Sequence, residues 1–288
     1  MNEYTNVFLL RAFGDFIIAI HFAVKNQSGQ SFRFLASKHF EPLFKALNLT
    51  LPPNCLISFI DLNIRRNIMG CLTNRYLFSP NSIHELLLLK QYIKHHPLTG
   101  HYYLEHKKRS WFMSFFCGHL FKNIISSQNV YQGYADFFST SMHELENIPF
   151  NINQSNLKVL VIPNARQLKR EIPSSILGLI NNSCKQMGFE LNLGVFGNDA
   201  SAMSSIIHTL RYRDFNELIL LIKQFDIIIG SDSMPIHLAQ FLSKPHYILY
   251  PQWVKNQFFT PFALKHQSYF TFEEIATRQS FFANGELY

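Results

Sequence analysis

The amino-acid sequence predicts an α/β protein with two doubly wound domains, each a parallel sheet covered by helices. Short apolar runs alternate with segments of helical spacing over residues 7–60, and the same alternation returns over residues 157–250. Such alternation is typical of parallel sheets, whose strands are buried on both faces. The chain has 288 residues, of which 47% are hydrophobic and 16% charged, and this is enough apolar material for two cores.

The first domain is expected to span residues 1–152. Residues 62–154 are aromatic, rich in His and short of clear strands. We expect them to complete this domain and to carry its variable segments. The predicted elements are strands over Val7–Ala12, Phe32–Ala36 and Leu56–Ile60, with helices over Phe16–Lys25, from Glu41 onward and over Ser82–Lys94.

A polar segment with a proline, residues 147–156, is the expected linker to a second domain over residues 153–288. The tail from about residue 258 is expected to pack back across a central cleft. Two such domains in tandem place the carboxyl ends of their sheets face to face, where ligands bind beside helix N-termini. The predicted elements are strands over Leu157–Ile162, Leu191–Phe196, Asp226–Ile229 and His246–Tyr250, with helices over Ser174–Met187, Asp214–Gln224 and Met234–Leu242.

The composition limits the compartment and the partners. A net charge of +7 suits phosphorylated ligands, anionic lipid headgroups or nucleic acid, without choosing among them. The four cysteines are scattered without a CxxC pair, the amino terminus lacks the pattern of a signal peptide, and no apolar run reaches the ~18 residues that span a bilayer. These features predict a reduced, cytoplasmic protein. Since no nucleic-acid-binding motif is present, no nucleic acid is expected as a partner.

Residues 226–252 contain the most informative local pattern. A strand runs into Gly230, a Ser-Asp-Ser turn follows, and a helix begins with Pro235 in its first turn, where a proline is tolerated. The free N–H groups and the positive dipole end of such a helix bind phosphate. The alternative is an ordinary strand–turn–helix that Asp232 or Ser233 caps.

Three segments together resemble the ADP-heptose:lipopolysaccharide heptosyltransferase family, glycosyltransferase family 9, which has the two-domain GT-B fold. Residues 232–237, Asp-Ser-Met-Pro-Ile-His, followed by Lys244-Pro245, resemble the start of the family's donor-binding helix. Residues 11–15, Arg-Ala-Phe-Gly-Asp, resemble the end of its opening strand. Residues 161–173 resemble its loop in which a Lys precedes a Trp-Pro pair. The resemblance follows the order of elements over most of the chain.

The resemblance implies an inverting glycosyltransferase. Because no DxD motif suited to a divalent metal appears in the sequence, transfer without a metal is expected, and no cofactor is expected either. Asp15 is then the base that takes the hydroxyl proton of the acceptor, a task that inverting transfer assigns to a carboxylate. Lys169 would neutralise the charge that develops on the departing diphosphate. From the residues alone, Asp15 could instead cap its helix, and Lys169 could lie on a solvated basic loop.

The implied site has a catalytic part, a donor side and an acceptor side. The implied partners are a nucleotide-sugar donor and an anionic glycan or glycolipid acceptor such as a lipopolysaccharide core. The catalytic residues are Asp15 and Lys169, the donor side comprises Asp232, Ser233, Met234, His237, Asp199 and Arg166, and the acceptor side comprises Arg11, Gly14, Lys107, Lys108 and Arg109.

Two departures from the family pattern concern the donor. Met234 stands where the family has a glycine, which lets the backbone approach a diphosphate closely. The family's Glu near the donor nucleoside is not matched, because Asp199 is acidic but lies at a different spacing. These departures also fit a catalytically degenerate sugar-nucleotide-binding or scaffold protein of the same fold.

Residues 101–122 combine basic and aromatic side chains and have three interpretations. They could contact the inner leaflet of the membrane, or bind a phosphorylated, acidic acceptor. They could also form a basic helix whose aromatic face packs into the first domain.

Overall fold

The chain forms two compact units, Met1–Thr140 and Ser141–Tyr288. Each unit is built on a parallel sheet flanked by helices, so the predicted α/β fold is confirmed. The computed structural model describes residues 4–10, 12–26, 28–61, 80–96, 98–104, 113–124, 129–152, 154–165, 168–197, 206–278 and 280–282.

The first unit contains a five-stranded sheet. Its strands are β1 (Thr5–Leu9), β2 (Phe32–Ser37), β3 (Cys55–Ile60), β4 (Tyr102–Leu104) and β5 (Phe121–Asn123). Its helices are α1 (Phe13–Val24), α2 (Glu41–Leu47), α3 (Pro80–His95) and α4 (Val130–Phe138), and residues 113–117 are also helical. The strand order is β3-β2-β1-β4-β5 with parallel pairs, which is the doubly wound arrangement with β1 in the centre.

Helices cover both faces of the first sheet, and this is why Val7, Phe8 and Leu9 of β1 form an apolar run. On one face, Phe8 of β1 packs in a cluster with Leu89 of α3 and Met113. On the other face α1 lies against α4, where the rings of Phe22 and Tyr134 stack with centroids 6.4 Å apart. Aromatic side chains therefore fill much of this core, which accounts for part of the chain's high Phe content.

The second unit contains a six-stranded sheet. Its strands are β6 (Lys158–Ile162), β7 (Glu190–Phe196), β8 (His208–Tyr212), β9 (Ile227–Ser231), β10 (His246–Tyr250) and β11 (Tyr269–Thr271). Its helices are α5 (His143–Glu146), α6 (Ser174–Met187), α7 (Phe215–Gln224), α8 (Met234–Phe241), α9 (Pro261–Lys265) and α10 (Phe272–Ala276). The order β11-β10-β9-β6-β7-β8 is the Rossmann order counted from β6, and it reverses direction between β6 and β9.

Several helix ends follow the local signals in the sequence. α6 spans the predicted residues and ends at Gly188, whose φ of 70° is the left-handed conformation that glycine favours. Asp214 caps α7 by accepting a hydrogen bond of 2.9 Å from the Glu217 N–H. The sequence does not predict β4, β5, β8 or β11. Three of these strands have only three residues, too few for a recognisable periodicity. β8 is an edge strand whose residues are mostly not buried, so it lacks an apolar run.

The second unit includes residues 141–152 as well as the tail. The buried side chain of Gln240 donates to the Leu145 carbonyl (2.8 Å) and accepts from the Phe262 N–H (3.1 Å). One amide thus ties α5 and α9 to α8 within the second unit, which begins at Ser141. The tail, expected to pack across a cleft, adds β11 to β10 and lays α10 against α6.

Gly230 in β9 allows α8 to lie close to the sheet. A Cβ atom at this position would stand 3.0 Å from the Cγ1 and Cδ1 atoms of Ile236, a side chain with no exposed surface. A Cβ atom at Gly178 in α6 would meet nothing within 4 Å. The two glycines therefore differ in what an added methyl group costs.

We expect Gly230→Ala to lower the free energy of unfolding by about 1–3 kcal/mol, because Ile236 must move within a packed interior. Gly178→Ala is the matched control and should raise it by up to about 1 kcal/mol, because alanine favours the helix. Urea denaturation of both variants measures these changes. Wild-type stability in Gly230→Ala would show that α8 can move away without cost.

Candidate functional site

The reversal of strand order in the second sheet brings two chain segments together at the carboxyl ends of its strands. β6 and β9 pair in parallel with Ile162 opposite Gly230, so the two strands end at the same level. The loop after β6, residues 163–173, and the turn after β9, residues 232–233, therefore begin side by side. In doubly wound sheets this crevice is where ligands bind.

Asp232 places a buried carboxylate at the start of α8. The Nη1 atom of Arg170 lies 3.2 Å from its Oδ2 atom and also donates to the Asp232 carbonyl at 3.4 Å. Burial raises the pKa of Asp232 to about 6, although the charge of Arg170 acts to lower it. The carboxylate is thus largely ionised at neutral pH, and a buried charge of this kind requires its cation.

His237 lies about one turn along α8 from Asp232, with its Nε2 atom 4.0 Å from the Asp232 Oδ1 atom. Burial lowers the pKa of His237 to about 3, and the charge of His246 contributes in the same direction. The ring is therefore neutral at physiological pH. It adds polarity beside the carboxylate without adding a second positive charge.

The two serines that flank Asp232 bond to each other. The Ser231 hydroxyl donates to Ser233 Oγ at 3.2 Å, and the Ser233 hydroxyl donates to the Ser231 carbonyl at 3.1 Å. Ser233 is the N-cap residue of α8, but its side chain makes no capping hydrogen bond. The hydroxyl would have to rotate away from β9 before it could donate to a phosphate.

Two buried polar atoms at this edge, Asn164 Oδ1 and Arg170 Nε, have no hydrogen-bond partner among the residues that the structure describes. The guanidinium carbon of Arg170 lies 5.5 Å from the ring centre of Trp253, which is 57% exposed. Buried polar atoms are nearly always paired in native proteins, so unpaired ones are typical of sites that water, an ion or a ligand completes. A guanidinium is well suited to bind the oxygens of a phosphate.

The structure distinguishes the two adjacent cations of the loop after β6. Both lie in the short 3-10 helix Leu168–Arg170, yet Lys169 is exposed whereas Arg170 contacts Asp232. Sequence analysis selected Lys169 and missed Arg170, Asn164 and Trp253. Nothing in the sequence distinguishes these two neighbouring basic residues. The orientation of the 3-10 helix decides which of the two side chains reaches the sheet.

The remaining donor-side predictions have different outcomes. Asp232 and His237 come together as expected at the start of α8. Met234 is the first residue of that helix and is half-buried. Asp199 and Arg166 lie outside the described residues.

Asp15 lies in the first turn of α1 and is 7% exposed. The N-cap of this helix is Ala12, so Asp15 is the third helical residue and not the cap. β1 pairs with β2 on one side and β4 on the other, so the turn into α1 starts where the strand order of the first sheet reverses. Gly14 precedes Asp15 in the helix, whereas the other predicted acceptor residues, Arg11, Lys107, Lys108 and Arg109, lie outside the described residues.

In the described part of the chain, no group of three or more His, Cys, Asp or Glu side chains is placed to hold a metal ion. None of the helices there is both long and apolar enough to cross a membrane.

No model of a known protein family matches the sequence, and no curated protein matches it significantly. Solved structures match it in fold. The E. coli heptosyltransferase WaaC with ADP has a TM-score of 0.57 at 11% identity, with 96% of each chain covered. E. coli ADP-heptose lps heptosyltransferase II has a TM-score of 0.56 at 13% identity, with 94% of this chain and 90% of that chain covered. The glycosyl transferase family 9 protein of Veillonella parvula DSM 2008 has a TM-score of 0.56 at 12% identity, with 93% and 85% covered.

The chain shares the fold of these glycosyltransferases over both units, because the matches cover nearly its whole length. A shared fold is what the three sequence segments predict by resemblance.

We expect the second unit to lose stability as the pH falls from about 6 to 4. Burial lowers the pKa values of His237 and His246 to about 3 and about 4. Below about pH 6.5, these two histidines therefore bind protons in the unfolded chain but not in the folded unit. Asp232 acts in the opposite direction, because its raised pKa lets the folded unit bind a proton below about 6. The two histidines have a larger effect than the one carboxyl. The free energy of unfolding therefore falls by roughly 1.4 kcal/mol for each pH unit.

Urea midpoints at pH 7, 6 and 5 and constant ionic strength measure this loss. Burial also lowers the pKa of His21 in the first unit to about 3, so His21 acts in the same direction as His237 and His246. A midpoint that stays constant or rises towards pH 5 would contradict the burial of neutral His237 and His246.

Proposed function

We propose that this protein is an inverting glycosyltransferase. It moves a sugar such as heptose from a nucleotide-diphosphate donor to an anionic glycan or glycolipid acceptor, for example a lipopolysaccharide core. The reaction takes place in the cytoplasm without a metal ion or other cofactor, and the protein contacts the cytoplasmic membrane face peripherally.

The Arg170–Asp232 pair at the start of α8 carries this proposal. It joins a guanidinium, whose Nε–H has no partner among the described residues, to the positive end of a helix dipole. Both are groups that bind the oxygens of a diphosphate. The WaaC structures, which share this fold, were solved with ADP and with ADP-2-deoxy-2-fluoro heptose, and this supports a nucleotide-diphosphate donor.

In the proposed reaction an acceptor hydroxyl attacks the anomeric carbon of the donor sugar. Asp15 takes the hydroxyl proton as the new bond forms, and the bond from that carbon to the diphosphate oxygen breaks. Attack opposite the leaving group inverts the configuration of the sugar. Arg170 and the N–H groups at the start of α8 stabilise the negative charge on the departing diphosphate, in the place first assigned to Lys169.

A second candidate is a sugar-nucleotide-binding or scaffold protein without transferase activity. Two observations favour it. Met234 places a half-buried side chain at the helix start, and the Ser233 hydroxyl is turned back to β9. This candidate binds the nucleotide but shows no transfer, so binding and turnover measured together separate it from the enzyme.

Arg170→Gln should weaken ADP binding by about 10- to 100-fold, because one or two charge-assisted hydrogen bonds are lost. Lys169→Gln is the matched control, and it should change the affinity less than about threefold since its side chain is exposed. Titration calorimetry measures both, with thermal unfolding to verify that each variant is folded. The reverse ranking would return the phosphate-binding role to Lys169.

Asp15→Asn should lower the transfer rate by about 10²- to 10⁴-fold, because the amide cannot accept the hydroxyl proton. ADP affinity should stay at the wild-type value, since Asp15 belongs to the first unit and the donor site to the second. Single-turnover transfer to a lipopolysaccharide-core acceptor gives the rate. Near wild-type turnover would exclude Asp15 as the base.

A further inference from the structure

The indole of Trp253 is a large apolar surface at the carboxyl ends of the strands of the second sheet. Trp253 is 57% exposed, although tryptophan is highly buried on average. It lies in the segment after β10, and Arg170 lies in the loop after β6, so the two come from the strands on either side of β9. They meet where β9 leads into α8, because the guanidinium carbon of Arg170 lies 5.5 Å from the ring centre.

The segment between β10 and α9 is anchored at both ends. The ring of Tyr250, the last residue of β10, packs edge to face on the ring of Phe259, with centroids 4.7 Å apart. Phe259 has no exposed surface. Between these two residues, the Val254 N–H donates to the Pro251 carbonyl at 2.9 Å, which closes a turn around Trp253. The exposed indole is therefore presented by a turn whose ends are tied to the sheet.

The place of β10 in the sheet indicates which end of the donor this ring meets. In Rossmann domains the second strand carries the group that binds the ribose, so the nucleoside lies over that strand. The corresponding strand here is β7, which pairs with β6 on the side away from β9. Trp253 follows β10, on the other side of β9. With the diphosphate at the start of α8, Trp253 lies towards the end of the diphosphate that carries the sugar.

An indole ring and a sugar ring are complementary in charge and in shape. The face of an aromatic ring is partly negative, whereas the C–H groups on the face of a sugar ring are partly positive, so the two rings pack face to face. Arg170 is suited to the phosphate oxygens and cannot make this apolar contact. The two side chains therefore fit two neighbouring parts of one donor.

We propose that Trp253 binds the transferred sugar of the donor and contributes to the choice of that sugar. The inference rests on the proposed function, because it adds a sugar contact to the diphosphate site formed by Arg170 and the start of α8. If Trp253 only covered Arg170, its loss would weaken the binding of every nucleotide diphosphate alike. The sugar contact is distinguished from this role by ligands that differ only in the sugar.

Titration calorimetry with ADP and with ADP-2-deoxy-2-fluoro heptose tests the proposal. Both ligands carry the same nucleoside diphosphate, so the ratio of their dissociation constants isolates the contribution of the sugar. Trp253→Leu should shift this ratio by about 5- to 10-fold against the fluoro sugar nucleotide, because the aromatic face is lost. The ADP affinity of the variant should stay within about threefold of wild type, since Arg170 and α8 are intact.

Phe196→Leu is the matched control, because Phe196 is an aromatic residue at the end of β7 and is 50% exposed. It lies on the nucleoside side, so the ratio should keep its wild-type value. A wild-type ratio in Trp253→Leu would overturn the proposal, as would an equal loss of affinity for both ligands. If the wild type binds ADP in either case, the donor site stands and only the sugar contact is lost. A wild type that binds neither ligand would overturn both proposals.

Discussion

Because β6 and β9 pair in parallel, the segments that follow them start from the same edge of the second sheet. Ile162 lies opposite Gly230 in this pairing, and the glycine lets α8 settle against the strand. The loop after β6 can then reach the first turn of α8 with a single arginine. Every contact of the candidate donor site depends on this register, since a shift of one residue would turn each side chain to the opposite face.

The buried carboxylate of Asp232 sets the charge of this site, because it holds the positive charge of Arg170 beside it. Removing a carboxylate from water costs several kcal/mol, so an ion pair of this kind adds little net stability. It does fix the orientation of Arg170, which Trp253 also contacts from one side. Asp232 alone would repel a diphosphate, and Arg170 alone would be free to turn to solvent. Together they hold a cation beside the positive end of a helix, while neutral His237 leaves the charge of the site unchanged.

The two units place different polar groups at the same point of a similar strand topology. In both, the strand at the reversal point pairs with a neighbour on either side. In the first unit a short turn leads from this strand into α1, whereas in the second the loop over residues 163–173 follows it. In the second unit the polar groups gathered there are a cation and its carboxylate. In the first unit the same position holds Asp15, a buried acid in the first turn of α1, where the helix dipole stabilises its negative charge. A base on one unit and an anion site on the other are the two parts that the proposed transfer needs.

The sequence by itself determined the fold class, most of the longer elements and the strand–turn–helix that forms the candidate donor site. Apolar periodicity, Gly188 after α6 and Asp214 before α7 are local signals, and they were readable because they act within a few residues. The strand, Ser-Asp-Ser turn and helix around Asp232 could be located for the same reason.

Only the tertiary structure decided which side chains meet. Arg170 rather than Lys169 contacts Asp232, because the short 3-10 helix turns one of two adjacent cations towards the sheet and the other to solvent. The Ser233 hydroxyl bonds to Ser231, and Gln240 draws residues 141–152 into the second unit. β4 and β8 gain hydrogen bonds from longer neighbouring strands, whereas β5 pairs with β4, which is also three residues long. Except for the two serines, these partners lie far apart in the sequence, and residue types alone do not encode the backbone geometry that brings them together.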